Sequence, residues 1–142
     1  FRTAWLYGVG GNNFVKTMTK LGLAKDELNV VADQHGSPTY AKDLSDIIYK
    51  KKEKHIPYGI YNATNQGYTT WYDFTKEILA EQGIECKVNP VTTEEYIEMM
   101  KITQAKRPYN SQMSKNKLLE QGINVPEWKD GLKRCISELK NN

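Results

Sequence analysis

Apolar positions along the chain change period several times, and each change marks an element. Phe1, Ala4, Trp5, Leu6 and Tyr7 crowd the first seven residues, and Gly8, Gly10 and Gly11 follow. That order predicts a strand running into a glycine turn. Asn12-Asn13 then offers a helix cap, and Phe14, Val15, Met18 and Leu21 recur at helical spacing. Residues 28–31 form a short apolar run, predicted as a strand. At Ser37-Pro38-Thr39-Tyr40 extended chain is expected, because a residue before proline is pushed out of the helical region. Leu44, Ile47 and Ile48 give one apolar face to a predicted helix over about 41–52.

Pro57 and Gly59 mark a loop before a predicted strand at 60–64, which the turn residues Asn65-Gln66-Gly67 close. Thr69 or Thr70 should cap an amphipathic helix that ends at Gly83, with Trp71, Phe74, Ile78 and Leu79 inward. Trp71, Phe74 and the later Trp128 are read as core. Residues 86–91 are another predicted strand. Thr92-Thr93-Glu94-Glu95 reads as a helix start with acids in its first turn. Ser114 is expected to cap a short helix that Gly122 ends, and Pro126 to open the last helix. Strands and helices alternate without repeats, so the class is α/β or α+β. The strands are few and short for a chain covering a parallel sheet alone.

Composition narrows the class. The 142 residues are 39% hydrophobic and 26% charged, as in one soluble globular domain. A net charge of +3 does not point to nucleic acid, and no nucleic-acid partner is expected. The basic run Lys50-Lys51-Lys52-Glu53-Lys54-His55 fits a solvated helix end, where cations complement the carbonyl dipole. Cys86 and Cys135 lie far apart and are read as reduced thiols of a cytoplasmic protein. No apolar run approaches the about 20 residues of a membrane span, and no leader pattern is present. The first residue is Phe, and the opening strand reads as already under way, which suggests a piece of a longer protein.

Local catalytic signatures are absent: HExxH, GxSxG, a P-loop and paired cysteines are all missing. His35 and His55 stand alone. Asp33 beside His35 could polarise an imidazole, although an exposed loop histidine is the simpler reading. Gly8-x-Gly10-Gly11 lacks the spacing of a dinucleotide fingerprint. The helix start behind it could still receive a phosphate on its free N–H groups.

Three stretches carry a resemblance. They are Arg2-Thr3-Ala4-Trp5-Leu6-Tyr7-Gly8, Gly11-Asn12-Asn13-Phe14-Val15 and Val30-Val31-x-Asp33-Gln34-x-Gly36-Ser37-Pro38-Thr39. With Tyr58-Gly59-Ile60-Tyr61-Asn62-Ala63-Thr64, Trp71-Tyr72-Asp73-Phe74, Arg107-Pro108-x-Asn110-Ser111, Ser114-x-x-Lys117-Leu118 and Trp128-Lys129-Asp130-Gly131-Leu132, they run in order over nearly the whole chain. The set is similar to the dTDP-4-dehydrorhamnose reductases, which are extended short-chain dehydrogenases/reductases.

The resemblance implies the C-terminal part of a Rossmann-type α/β fold. Residues 1–142 would be the substrate-binding region, with strands at about 1–7 and 60–64 completing a sheet begun elsewhere. The family reduces the 4-keto group of dTDP-4-dehydro-L-rhamnose to give dTDP-L-rhamnose, in a route to polysaccharide, using NADPH or NADH. Its Tyr-x-x-x-Lys pair and cofactor glycine motif are not matched here. Tyr72-x-x-x-Lys76 has the bare spacing but lies in the wrong segment. The resemblance therefore assigns no catalytic and no cofactor-binding residue to this chain, and it leaves a Mg²⁺ requirement open.

What carries over is the substrate side. The resemblance sets Trp5 against the deoxysugar, where an indole offers a broad apolar wall. It sets Arg107 near the diphosphate, where a guanidinium forms paired charged hydrogen bonds. Asn13 and Gln34 are placed on the nucleotide or phosphate, with capping and turn structure as the alternative for each. Gly36 and Pro38 are read as shaping the loop. The partner is a dTDP-sugar; the oligomeric state of the parent stays open, a homodimer being one option. Two other readings remain: a regulatory subunit of the same fold, like that of methionine adenosyltransferase, and an enzyme of another nucleotide sugar. Alone, the chain is expected to be inactive and self-associating.

Overall fold

A computed structural model describes residues 1–142. In chain order the elements are β1 (Leu6–Tyr7), α1 (Phe14–Ala24), β2 (Glu27–Val31), β3 (His35–Gly36), β4 (Thr39–Tyr40) and α2 (Ala41–Glu53). Then come β5 (Thr69–Thr70), α3 (Trp71–Ala80), β6 (Lys87–Val91), α4 (Thr93–Met100), α5 (Asn116–Glu120) and α6 (Trp128–Lys140). The strands make three two-stranded ladders: β1 with β4 and β2 with β6 run parallel, and β3 with β5 runs antiparallel. In the β2–β6 ladder Pro90 stands opposite Val30. Proline gives no ladder N–H, so β6 suits an edge.

Caps set most of the helix starts. Asn13 Oδ1 accepts the Lys16 N–H at the head of α1, and Thr70 does the same for Asp73 in α3. Thr92 and Glu95 form a reciprocal capping box on α4. Two expected starts move by a residue or two. Lys115, not Ser114, is the cap position of α5, and Ser114 Oγ accepts the Asn116 N–H instead. The last helix opens at Trp128, because the Pro126 carbonyl is used elsewhere. It accepts from Gln66 N–H and Asn65 Nδ2, which bridges residues 65–66 to the head of α6.

The predicted strands at 1–7 and 60–64 are much shorter than expected. They meet in parallel at a single Arg2–Asn62 bridge, where Arg2 N–H donates to the Tyr61 carbonyl and Ala63 N–H to the Arg2 carbonyl. Between that bridge and β1, Trp5 adopts φ +49°, a left-handed conformation that no continuous strand allows.

Two apolar cores result. One gathers Tyr7, Val15, Phe74, Ile78, Trp128 and Leu132, and the other Ile47, Tyr61, Ala63, Leu118 and Ile123. A buried polar knot ties α2 to α6. Asp43 accepts two hydrogen bonds from Arg134, each at 2.8 Å, and one from Asn65 Nδ2 at 2.7 Å. Asn65 Oδ1 accepts the Tyr40 N–H at 2.8 Å. Turning Asp43 inward rotates the buried stripe of α2 to positions 43 and 47. The expected face of Leu44, Ile47 and Ile48 therefore loses Ile48, which is 48% exposed against 2% for Ile47. Both cysteines are free, and Cys135 is fully buried.

Candidate functional site

A cleft of about 260 Å³ opens between α1, β2, α3 and the segment after α4. Phe14 and Met18 of α1, Val30 and Val31 of β2, and Trp71 give it an apolar lining. Gln34 stands within it, and Gln104 and Arg107 reach it from the segment following α4. That segment is tied down on both sides. His35 N–H donates to the Tyr109 carbonyl and Ser111 N–H to the His35 carbonyl, while Tyr109 Oη donates to Glu94. The carboxylate partner raises the Tyr109 hydroxyl above its ordinary range.

One wall is built in layers. Trp71 stacks on Trp5, with ring centroids 3.7 Å apart and planes at 19°. Trp71 Nε1 donates to Gln34 Oε1 at 3.2 Å, and Gln34 Nε2 donates to Thr93 Oγ1 at 3.0 Å. Thr93 in turn donates its hydroxyl to Asp33 at 2.6 Å and its N–H to both Asp33 oxygens. Asp33 thus anchors the start of α4 and makes no hydrogen bond or ion pair with the exposed His35 ring, contrary to the polarised-imidazole option. Trp71 packs against the core as expected, but it is only half-buried and also lines the cleft, whereas Phe74 and Trp128 are buried.

Of the four residues the sequence singled out, Gln34 and Arg107 share this cleft, and Trp5 lies behind its Trp71 wall. Arg107 is exposed and makes no ion pair or hydrogen bond within the chain, so its guanidinium is free for an anion. Asn13 goes elsewhere. It lines a second depression beside Gly8, Gly10 and Tyr40, and both ends of its amide are used, on Lys16 N–H and on the Gly8 carbonyl at 2.7 Å. Tyr72 and Lys76 lie outside the cleft, with Lys76 paired to Asp73 at 3.4 Å and 4.8 Å from the Tyr72 ring centroid. No group of three or more His, Cys, Asp or Glu side chains is placed to hold a metal ion. No helix is long and apolar enough to cross a membrane.

Sequence reasoning passed over Lys115. Its side chain is buried, its Nζ has no hydrogen-bond partner, and it lies 4.4 Å from the Tyr68 ring centroid. Burial lowers its pKa, against a smaller opposing pull from Glu127.

The comparisons agree with one another. A family profile described as "RmlD substrate binding domain" matches residues 1–141. The spore coat polysaccharide biosynthesis protein SpsK of Bacillus subtilis is 44% identical over 137 residues, covering 96% of this chain and 46% of that protein. A dTDP-4-dehydrorhamnose reductase from Clostridium acetobutylicum superposes with a TM-score of 0.87 at 45% identity, over 98% of this chain and 48% of that one. The Bacillus anthracis dTDP-4-dehydrorhamnose reductase, solved in complex with NADP, gives 0.84 at 42%, over 96% and 46%. The chain therefore spans about half the length of the proteins it matches, and it carries part of their Rossmann-type α/β fold.

Proposed function

The chain belongs to the RmlD substrate-binding domain family, and from that premise we propose that it is the nucleotide-sugar-binding half of a dTDP-4-dehydrorhamnose reductase. The whole enzyme would reduce the 4-keto group of dTDP-4-dehydro-L-rhamnose to dTDP-L-rhamnose with NADPH or NADH, in the cytoplasm, as a step toward polysaccharide. One observation carries this reading: a free guanidinium, Arg107, stands at an apolar cleft with Trp71 in its wall, and Trp5 stacks on Trp71. A charged fork beside flat aromatic surface suits a ligand with a diphosphate at one point and a base or deoxysugar at another.

On this reading each residue has a role. Arg107 takes diphosphate oxygens. Trp5 backs the sugar from behind Trp71, on which it stacks. Gln34 keeps one amide N–H beyond its bond to Thr93, and offers it to the ligand. Asn13 serves by holding the start of α1 in place, since capping uses both ends of its amide. The residues present do not fit a nicotinamide cofactor. Gly8, Gly10 and Gly11 lack the fingerprint spacing, and Asn13 occupies the head of the helix behind them. No hydride or proton step is assigned to this chain.

Calorimetric titration of dTDP into the full-length enzyme tests the reading. Arg107→Ala should weaken binding by about 10- to 100-fold, the weight of a charged hydrogen bond. Unchanged affinity there, together with an unchanged KM for the sugar nucleotide in Trp5→Ala, would remove both assigned contacts and the reading with them.

A further inference from the structure

Between α4 and α5 runs a stretch that the rest of the chain holds only at its two ends. At the near end Lys101 closes α4 at φ +50°, a left-handed conformation that non-glycine residues seldom take. At the far end the Tyr109 carbonyl accepts the His35 N–H at 2.8 Å, and Ser111 N–H donates to the His35 carbonyl at 2.7 Å. Tyr109 Oη also donates to Glu94 in the first turn of α4. Between these anchors, residues 102–108 make no hydrogen bond and no ion pair with the rest of the chain. All of them are exposed except Gln104, which is half-buried. Backbone that is both exposed and unbonded is the part of a fold that opens most readily. Yet this stretch supplies Gln104 and Arg107 to the cleft, and Arg107 is the one charged side chain of the lining.

We propose that residues 102–108 form a strap that closes over the cleft when an anionic ligand pairs with Arg107. The proposal rests on the reading that a nucleotide diphosphate occupies this cleft. A ligand can shift a segment only by the contacts it gains in the shifted state. Here that gain is the paired hydrogen bonds of a guanidinium on phosphate oxygens, for which no carboxylate of the chain competes. The backbone sets the bending point. Pro108 fixes its own φ and keeps Arg107 extended, so the far end is stiff. Lys101 already stands outside the helical region, so rotation there swings the strap without unwinding α4. Closure brings Gln104, whose amide has no partner in the chain, onto the ligand. It also shields the diphosphate contact from water, where the charge pair is weakest.

The test is hydrogen–deuterium exchange of the full-length enzyme, read by mass spectrometry with and without dTDP. In the free enzyme the amides of 102–107 should exchange at nearly the unfolded rate, while those of α3 stay protected. Saturating dTDP should slow the strap by about tenfold or more, the shift that a charged hydrogen-bond pair supports. In Arg107→Ala, dTDP raised until residues 30–34 reach wild-type protection should leave the strap fast. Trypsin should cut after Lys106 in the free enzyme, and dTDP should slow that cut in the wild type but not in Arg107→Ala. Two results would overturn the strap and leave the ligand site standing. One is strap amides as slow in the free enzyme as those of α3. The other is strap amides unchanged by dTDP that does protect residues 30–34. Equal strap protection in Arg107→Ala would overturn the charge pairing that drives closure. A dTDP that protects neither region is a distinct result: it would sink the cleft reading, and the strap with it. Arg107 is exposed and unbonded, so its removal leaves the fold in place. The wild-type comparison decides the matter even where the variant cannot be saturated.

Discussion

Asp43 is an acid of α2 in the middle of the molecule, 3% exposed, with Arg134 and Asn65 closing on it. Burial of a carboxylate is tolerable only when its oxygens are filled, and here three donors fill them. Losing one partner of such a pair typically removes about 3–5 kcal/mol, and Arg134 keeps some water contact, so Asp43→Ala should fall toward the lower end. A urea midpoint of the variant matching wild type would refute that. A second residue sets the alkaline limit. Burial, with help from Glu138, pushes the Cys135 thiol up to about 11. Tyr7 and Tyr40 are raised too, chiefly by burial, and Tyr40 also by its bond to Glu138. Each of these groups keeps its proton in the folded state at a pH where the unfolded chain has lost it. The folded state then binds more protons, so stability is intact below pH 9 and declines as pH rises toward 11. Each titrating group adds a slope of up to about 1.4 kcal/mol per pH unit. Thermal melts from pH 8 upward should show that decline, shallower in Cys135→Ala; a Tm independent of pH in this window would count against it.

At the scale of elements, local chemistry and tertiary contact divide the work. The capping box of α4 is local, and Thr92→Ala should cost the protein about 1 kcal/mol, read as a lower unfolding midpoint. The approach of α1 to α3 is tertiary. Gly22 lies where a Cβ would stand 2.5 Å from Leu79 Cδ2 and 3.3 Å from Ile84 Cγ2. Alanine there gains up to about 1 kcal/mol of helix propensity, but overpacking against a buried Leu79 costs about 1–3 kcal/mol. Gly22→Ala should therefore destabilise, and a raised Tm would show that the helices have slack. The same division explains what the sequence discloses. Asn13, Thr70, Thr92 and Gly83 declare helix ends because caps and left-handed turns are read from neighbours. Gln34 and Arg107, singled out by the family resemblance, do meet in one cleft. Trp71 was not legible: helical spacing places it with Phe74 on one face, and only the fold shows that its face meets Trp5. Nor was Asp43, whose partner lies 91 positions away. The shortened strand at 1–7 has the same origin, since Thr39 and Gly36 impose the turn at Trp5 from a distance.

For the molecule as a whole, the open surfaces matter more than the closed ones. Within this chain β1 pairs only with β4, and Leu6 is 51% exposed although its neighbour Tyr7 is buried. Phe1 at 46% and Ile60 at 59% lie on the segments joined by the Arg2–Asn62 bridge. Two short parallel pairings with apolar residues facing outward leave strand edges open, and unpaired strand edges recruit other strands. In the enzyme proposed above, residues outside this chain would supply them. Expressed alone, the 142-residue chain should satisfy those edges with copies of itself, so its sedimentation coefficient should rise with concentration. It should also fail to oxidise NADPH or NADH in the presence of the sugar nucleotide, because neither a Tyr-x-x-x-Lys pair in the family's position nor a dinucleotide fingerprint is among its residues. Leu6→Lys and Ile60→Lys together should suppress association of the isolated chain and, placed in the full-length enzyme, weaken its stability. A chain that stays monomeric at every concentration would mean that its edges are already satisfied. Turnover by the isolated chain would place the proton donor and cofactor site within it, and the division of labour between the two halves would have to be redrawn.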